Sequence, residues 1–197
     1  LLITGSRSAW IGGSVGLAIV AFAAMRRGMK RWVFFTLILC AVAGVLFLTN
    51  SAAERQRALR PGTSSIDRRL VIYDGAWKAF RASPVIGQGL GNFFLFLPNF
   101  RSPDYWMAKS EDVVPHAHNE FLELLSETGI LGCLAFLGIL LLFIAAVAKS
   151  PPAERSFVVG CGAAVAACLV DNMASTNLHT TPVAVTFWML LGAGFSR

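Results

Sequence analysis

The sequence predicts an all-α integral membrane protein with about five transmembrane helices, each of roughly 20 apolar residues or slightly fewer. Composition is the first observation behind this: 55% of the 197 residues are hydrophobic and only 14% are charged, a balance foreign to ordinary soluble domains. Second, the apolar residues come in blocks, at about Ser8–Met25, Trp32–Thr49, Gly129–Ala148 and Ser156–Ser175, with a shorter one at Pro182–Phe195. Charge placement is the third. Arg26, Arg27, Lys30 and Arg31 lie between the first two blocks, and Lys149 and Arg155 lie between the third and fourth. Short loops rich in Lys and Arg stay cytoplasmic, so the long connector faces the other side.

This topology divides the chain into three parts. Residues 1–49 hold two transmembrane helices, 50–118 an outer loop with short helices, and 119–197 an interfacial helix followed by three transmembrane helices. Gly12, Gly13 and Gly16 in the first block, and Gly160 and Gly162 in the fourth, form small faces that let helices approach closely. Within the loop, Ser65–Phe80 reads as a helix with Ser65 or Asp67 as N-cap and Leu70, Tyr73, Ala76, Trp77 and Phe80 recurring at helical spacing. Pro84 ends it in a turn-rich stretch containing Gly87, Gly89 and Gly91. The aromatics Phe93, Phe94, Phe96, Phe100, Tyr105 and Trp106 follow and place the loop against the membrane interface. His118–Thr128 reads as a short amphipathic helix, with Glu120, Glu123 and Glu127 on one face and Phe121, Leu122, Leu124 and Leu125 over most of the other. Gly129 lets it turn into the third span, and Asp171, Asn172, Asn177 and His179 mark the outer end of the fourth.

The chain opens on Leu1 inside an apolar run, with no charged n-region or cleavage site of a signal peptide. It reads as the C-terminal part of a longer polytopic protein. The formal net charge of +6 arises partly from topology, and the basic residues are not gathered on one face, which argues against nucleic acid. Cys40, Cys133, Cys161 and Cys168 all fall in apolar spans with no CxxC pair, the pattern of small packing residues.

Three features carry candidate chemistry. His118 stands where a polar strip, Pro115 to Glu120, leads into the membrane. A neutral imidazole there is a general base for a hydroxyl or an interfacial contact. His116 and His118 also form a potential metal pair, with Asp112 or Glu120 as third ligand, but HxH alone is a weak metal signal. Arg7, flanked by apolar residues near the outer end of the first span, faces a cavity or an anion, or anchors the helix at the interface. Arg68 and Arg69 open the loop helix, as solvated surface or as a bidentate clamp for phosphate. The Gly87-x-Gly89-x-Gly91 run is a turn or a nest of N–H donors for phosphate. Together, arginines, a histidine base and a bilayer fit transfer of a group from a lipid diphosphate to a hydroxyl. The diphosphate leaves readily once Arg stabilises its charge, and the acceptor hydroxyl is the group that needs a base. A transporter, with Arg7 marking a polar pathway, is the rival from another class.

These residues resemble the bacterial O-antigen ligase and polymerase superfamily of membrane glycosyltransferases. The ligase pattern of His-Asn, nine residues and Gly-x-x-Gly reads here as His118-Asn119, Glu120 to Thr128, and Gly129-Ile130-Leu131-Gly132. Arg69 through Ala76 is similar to the family's Arg-Leu-x-x-aromatic-x-x-Ala helix, Pro84 through Phe93 to its glycine turn, and Ser6 through Trp10 to its Ser-Arg-x-Ala-Trp helix start. The resemblance runs from about Thr4 to Gly192. Cys133-Leu134 stands where the ligase pattern often continues with Thr-Thr, and the family's upstream helices, with a further arginine, are not in this chain. The resemblance implies a bacterial inner-membrane enzyme with a periplasmic active face and no cofactor or metal. Its donor would be an undecaprenyl-diphosphate-linked glycan and its acceptor a glycan, lipid A-core or protein hydroxyl. On matching positions it implies His118 as base and Arg7 and Arg69 as diphosphate ligands. Asn119 and Glu120 would orient the acceptor, with Arg68 and His116 as second choices.

Overall fold

The computed structural model describes residues 7–25, 65–101 and 114–195. Every regular element among them is helical: α1 (Arg7–Met25), α2 (Ser65–Ala82), α3 (Phe93–Phe100), α4 (Glu120–Lys149), α5 (Arg155–Asp171), a 3-10 turn at Asn177–His179, and α6 (Thr181–Phe195). The predicted span Trp32–Thr49, together with Cys40, Tyr105, Trp106 and Asp112, lies outside the described residues. Two helices, α1 and α4, are long and apolar enough to cross a membrane. The fourth predicted span shortens to 17 residues in α5, closed by Arg155 and Asp171, and the fifth to 15 in α6. The described helices thus supply two spans by length where five were expected.

The chain forms two compact units, one of Leu1–Leu59, Leu140–Asn172 and Asn177–Arg197, the other of Arg60–Ile139 and Met173–Thr176. In the first unit α1 lies against α5 through small residues. A Cβ on Gly12 would overlap the Ala167 carbonyl, and one on Gly16 would stand 3.0 Å from the Ala163 oxygen and 3.1 Å from the Ala167 Cβ. Two residues one turn apart on each helix, Gly12 and Gly16 against Ala163 and Ala167, therefore bring the backbones together. Gly13 and Gly160, expected on the same small faces, meet open space. Gly194 on α6 sits under the Phe143 ring of α4, which stacks edge-on with Phe195 at 6.0 Å.

In the second unit α2 packs against α3 around Ile72, Ala76, Ala79, Phe93, Phe96 and Leu97, joined by Val114 and Ala117. Helix α2 runs two residues beyond its expected end at Phe80, within the usual uncertainty of helix limits. Its buried stripe differs more. Helical spacing selects Leu70, Tyr73, Ala76, Trp77 and Phe80, yet Leu70 is 59% and Trp77 49% exposed. The face turned inward is Ile72, Gly75, Ala76 and Ala79. The period was right and the phase was rotated. A Cβ on Gly75 would stand 2.8 Å from Leu97 Cδ1, so the small residues are the ones that admit α3. The loop aromatics divide as well: Phe93 and Phe96 are core residues in edge-to-face contact at 5.4 Å, while Phe94 is exposed.

Candidate functional site

The site is built on a break in α4. Gly129 adopts φ 64° and ψ −164°, a conformation essentially closed to residues with a side chain. The break separates the helix Glu120–Thr128 from the apolar run that follows, as the sequence suggested. Beyond it, the N–H groups of a new helical start need acceptors. Ile130 N–H donates to the Pro84 carbonyl at 2.9 Å and Leu131 N–H to the Val85 carbonyl at 3.2 Å. The glycine turn thus caps the span, and the fit is close: a Cβ on Gly87 would overlap the Glu127 carbonyl, and one on Gly129 the Val85 carbonyl.

Two carboxylates of α4 fix the flanking loops. Glu127 is 2% exposed; its Oε2 accepts the Gly91 N–H and its Oε1 the Phe93 N–H, each at 2.9 Å. One turn earlier Glu123, 1% exposed, accepts the Ala117 N–H at 2.6 Å through Oε2 and lies 2.9 Å from His116 Nδ1 through Oε1. Bonds of this kind to a charged acceptor contribute about 1.5–3 kcal/mol each. In the glycine run the Gly91 N–H is therefore taken by this chain's own carboxylate, and the Gly87 N–H donates to the Ser83 carbonyl at 2.9 Å. Gln88 and Gly89 donate to the Ser126 and Glu127 carbonyls at 3.0 and 2.8 Å, and Gln88 Nε2 donates to the Ala79 carbonyl at 2.8 Å. Of the two readings of this run, the turn prevails over the phosphate nest.

His118 stands at the end of the strip that Glu123 holds. It is the one described non-glycine residue with positive φ, 56°, and it is exposed. Histidine tolerates this left-handed region better than most residues, at a cost of about 1–3 kcal/mol that surrounding structure must offset. That structure is visible. Asn119 caps α4, its Oδ1 accepting the Leu122 N–H at 3.1 Å in the usual manner of an N-cap, and Tyr73 Oη donates to the His118 carbonyl at 3.2 Å. Tyr73 ties α2 to the histidine. Arg69, partly buried, lies four residues before Tyr73 on the same face of α2, so one helical turn separates it from the group that touches the His118 backbone. Glu120, partly buried, is the first residue of α4.

The structure thus gathers His118, Asn119, Glu120, His116 and Arg69 in one unit. Arg7 begins α1 and Arg68 lies in the first turn of α2; their side chains lie outside the described residues. The sequence places Glu123 and Glu127, with Glu120, on the polar face of an amphipathic helix. Both are buried, and with Tyr73 and Gln88 they are the groups that sequence reasoning misses. A signal was present in two acidic residues four apart in an otherwise apolar stretch beside glycine-rich and His-bearing loops, both of which offer unpaired backbone N–H groups.

A helical membrane protein with a polar, histidine-bearing strip and a cationic helix at the head of a span is the class these features define. The chain belongs to the O-antigen ligase family, whose model matches residues 1–137, a range that includes the His118 strip, the glycine turn and the Gly129 break. That family comprises membrane-integral glycosyltransferases of ligase and polymerase type acting on lipid-linked glycans. No curated protein and no solved structure matched.

Proposed function

We propose that this chain carries the catalytic region of a glycosyltransferase that moves a glycan from undecaprenyl diphosphate to an acceptor hydroxyl on the periplasmic side of the inner membrane. In this reading the domain layout is two spans, a periplasmic loop, and an interfacial helix with three further spans. The His118 imidazole takes the acceptor proton as the acceptor oxygen attacks the anomeric carbon. The bond from that carbon to the diphosphate breaks with inversion, and Arg7 and Arg69, with Arg68 in reserve, hold the departing charge. Asn119 and Glu120 orient the acceptor. His116, bonded to Glu123, belongs to the frame that places the strip. The observation that carries the proposal is the exposed, left-handed His118 held between a helix cap and Tyr73. Backbone strain kept in place by its surroundings is a feature of functional sites.

The test is His118→Ala in cells carrying the full-length protein, with lipid-linked and finished surface glycans both analysed. Loss of the base lowers turnover by about 10²–10⁴-fold. Long glycan accumulating on undecaprenyl diphosphate identifies a ligase, whereas single repeat units identify a polymerase. Unchanged pools at normal protein levels would overturn the assignment of His118 as base.

A further inference from the structure

The turn that caps the third span carries an apolar surface that the glycosyl-transfer reading does not use. Ile86 is 69% exposed, Leu90 75% and Leu95 60%, and Val85 and Phe94 are also about half exposed. The main chain fixes their level. Val85 and Pro84 accept the N–H groups of Leu131 and Ile130, so the turn lies beside the first residues of the membrane-crossing run. Ile130, Leu131 and Leu134 of that run are themselves exposed, so turn and span both present apolar side chains where their main chains are bonded.

The span leaves little slack. From Ile130 to Ala148 there is no charged or strongly polar residue, and Lys149 closes the run. At about 1.5 Å per residue this stretch matches a hydrocarbon core of roughly 30 Å. Its first turn must therefore sit at the core boundary, and the turn bonded to it sits there too. Irregular backbone survives at that depth only where its polar groups are satisfied within the protein. In this turn the N–H groups of Gly87, Gln88, Gly89, Gly91, Asn92 and Phe93 all have protein acceptors.

We infer that residues 85–95 form a membrane-dipping element whose Ile86, Leu90 and Leu95 side chains contact lipid acyl chains. The occupant of this surface is the bilayer, because the turn is hydrogen-bonded to the first turn of a span-length apolar helix whose own side chains there are exposed. The inference concerns seating in the membrane and stands whether or not His118 is the base.

The test uses the full-length protein in lipid nanodiscs with its native cysteines replaced by alanine. A nitroxide is attached in turn at Leu90→Cys, Leu95→Cys and Ile86→Cys, with Lys78→Cys as an exposed polar reference on α2. Collision with oxygen, which concentrates in lipid, is compared with collision with a water-soluble nickel chelate. The expected result is an oxygen-to-nickel ratio several-fold higher at the three turn positions than at Lys78. A ratio equal to that at Lys78 would place the turn in water and overturn the inference. Low accessibility to both reagents would mean that protein, such as a second copy, covers the surface, and would overturn it equally. Three separate positions ensure that misfolding of one variant does not decide the outcome, and each is scored only if it remains monodisperse.

Discussion

Each of the two units coheres internally, and the two do so by opposite means. Where α1 meets α5, the contact consists of what is absent: Gly12 and Gly16 have no side chains, Ala163 and Ala167 have one carbon each, and the backbones close directly. Where α4 meets the loops, the contact is made by two long charged side chains, Glu123 and Glu127, buried to 1–2% exposure on backbone N–H groups. The difference follows from what each partner offers. A helix has already paired its N–H groups and presents only shape, so close packing is the available attraction. An irregular loop has unpaired N–H groups, and a buried carboxylate satisfies two at once.

Substitutions can break this comparison or sharpen it. The largest effect is expected from Glu127→Ala, which leaves the Gly91 and Phe93 donors without their acceptor. At about 1–3 kcal/mol for each orphaned group, the loss is about 2–6 kcal/mol, seen as a fall in the melting temperature of the purified full-length protein. A melting temperature unchanged from wild type would show that the loops are not held by this carboxylate, and the contrast would collapse. Gly129→Ala comes next, at about 3 kcal/mol, since it forces a side chain into a backbone region reserved for glycine; protease sensitivity of the loop reports it. Gly12→Ala should cost about 1–3 kcal/mol through overpacking against α5, measured by the same melting experiment. Gly13→Ala, one residue away and facing open space, should shift stability by no more than about 1 kcal/mol. Equal effects at Gly12 and Gly13 would mean that close approach is not what joins α1 to α5.

The sequence made some of these elements readable and hid others. The uninterrupted apolar run after Gly129 announced a span, and a glycine at the junction of an acidic helix with that run announced a break. Local patterns suffice for such features, because the residues that decide them are neighbours. The buried face of α2 differs from the expected one by about a third of a turn because hydrophobicity alone ranks Trp77 above Ala79. Packing against α3 ranks them the other way, since only small residues admit Leu97 so closely. The role of Glu127 was hidden for a different reason. Its partners lie 34 and 36 residues away and are main-chain groups, which no residue letter announces. Among the site residues, the His118 strip and Asn119 were legible from order along the chain. The hydroxyl of Tyr73, which meets the His118 carbonyl 45 positions later, was legible only as one more aromatic on a helix.

Glu123 and Glu127 grip the main chain and stand one turn apart on the short helix that precedes the Gly129 break. Except for His116, which Glu123 also holds, neither carboxylate reads the side chain of the residue it binds; residue choice at positions 91, 93 and 117 is set instead by the positive φ of Gly91 and by the burial of Phe93 and Ala117. The loops can therefore change their outward chemistry while their position stays fixed. Such an arrangement permits new acceptors to be tried without redesigning the platform beneath them.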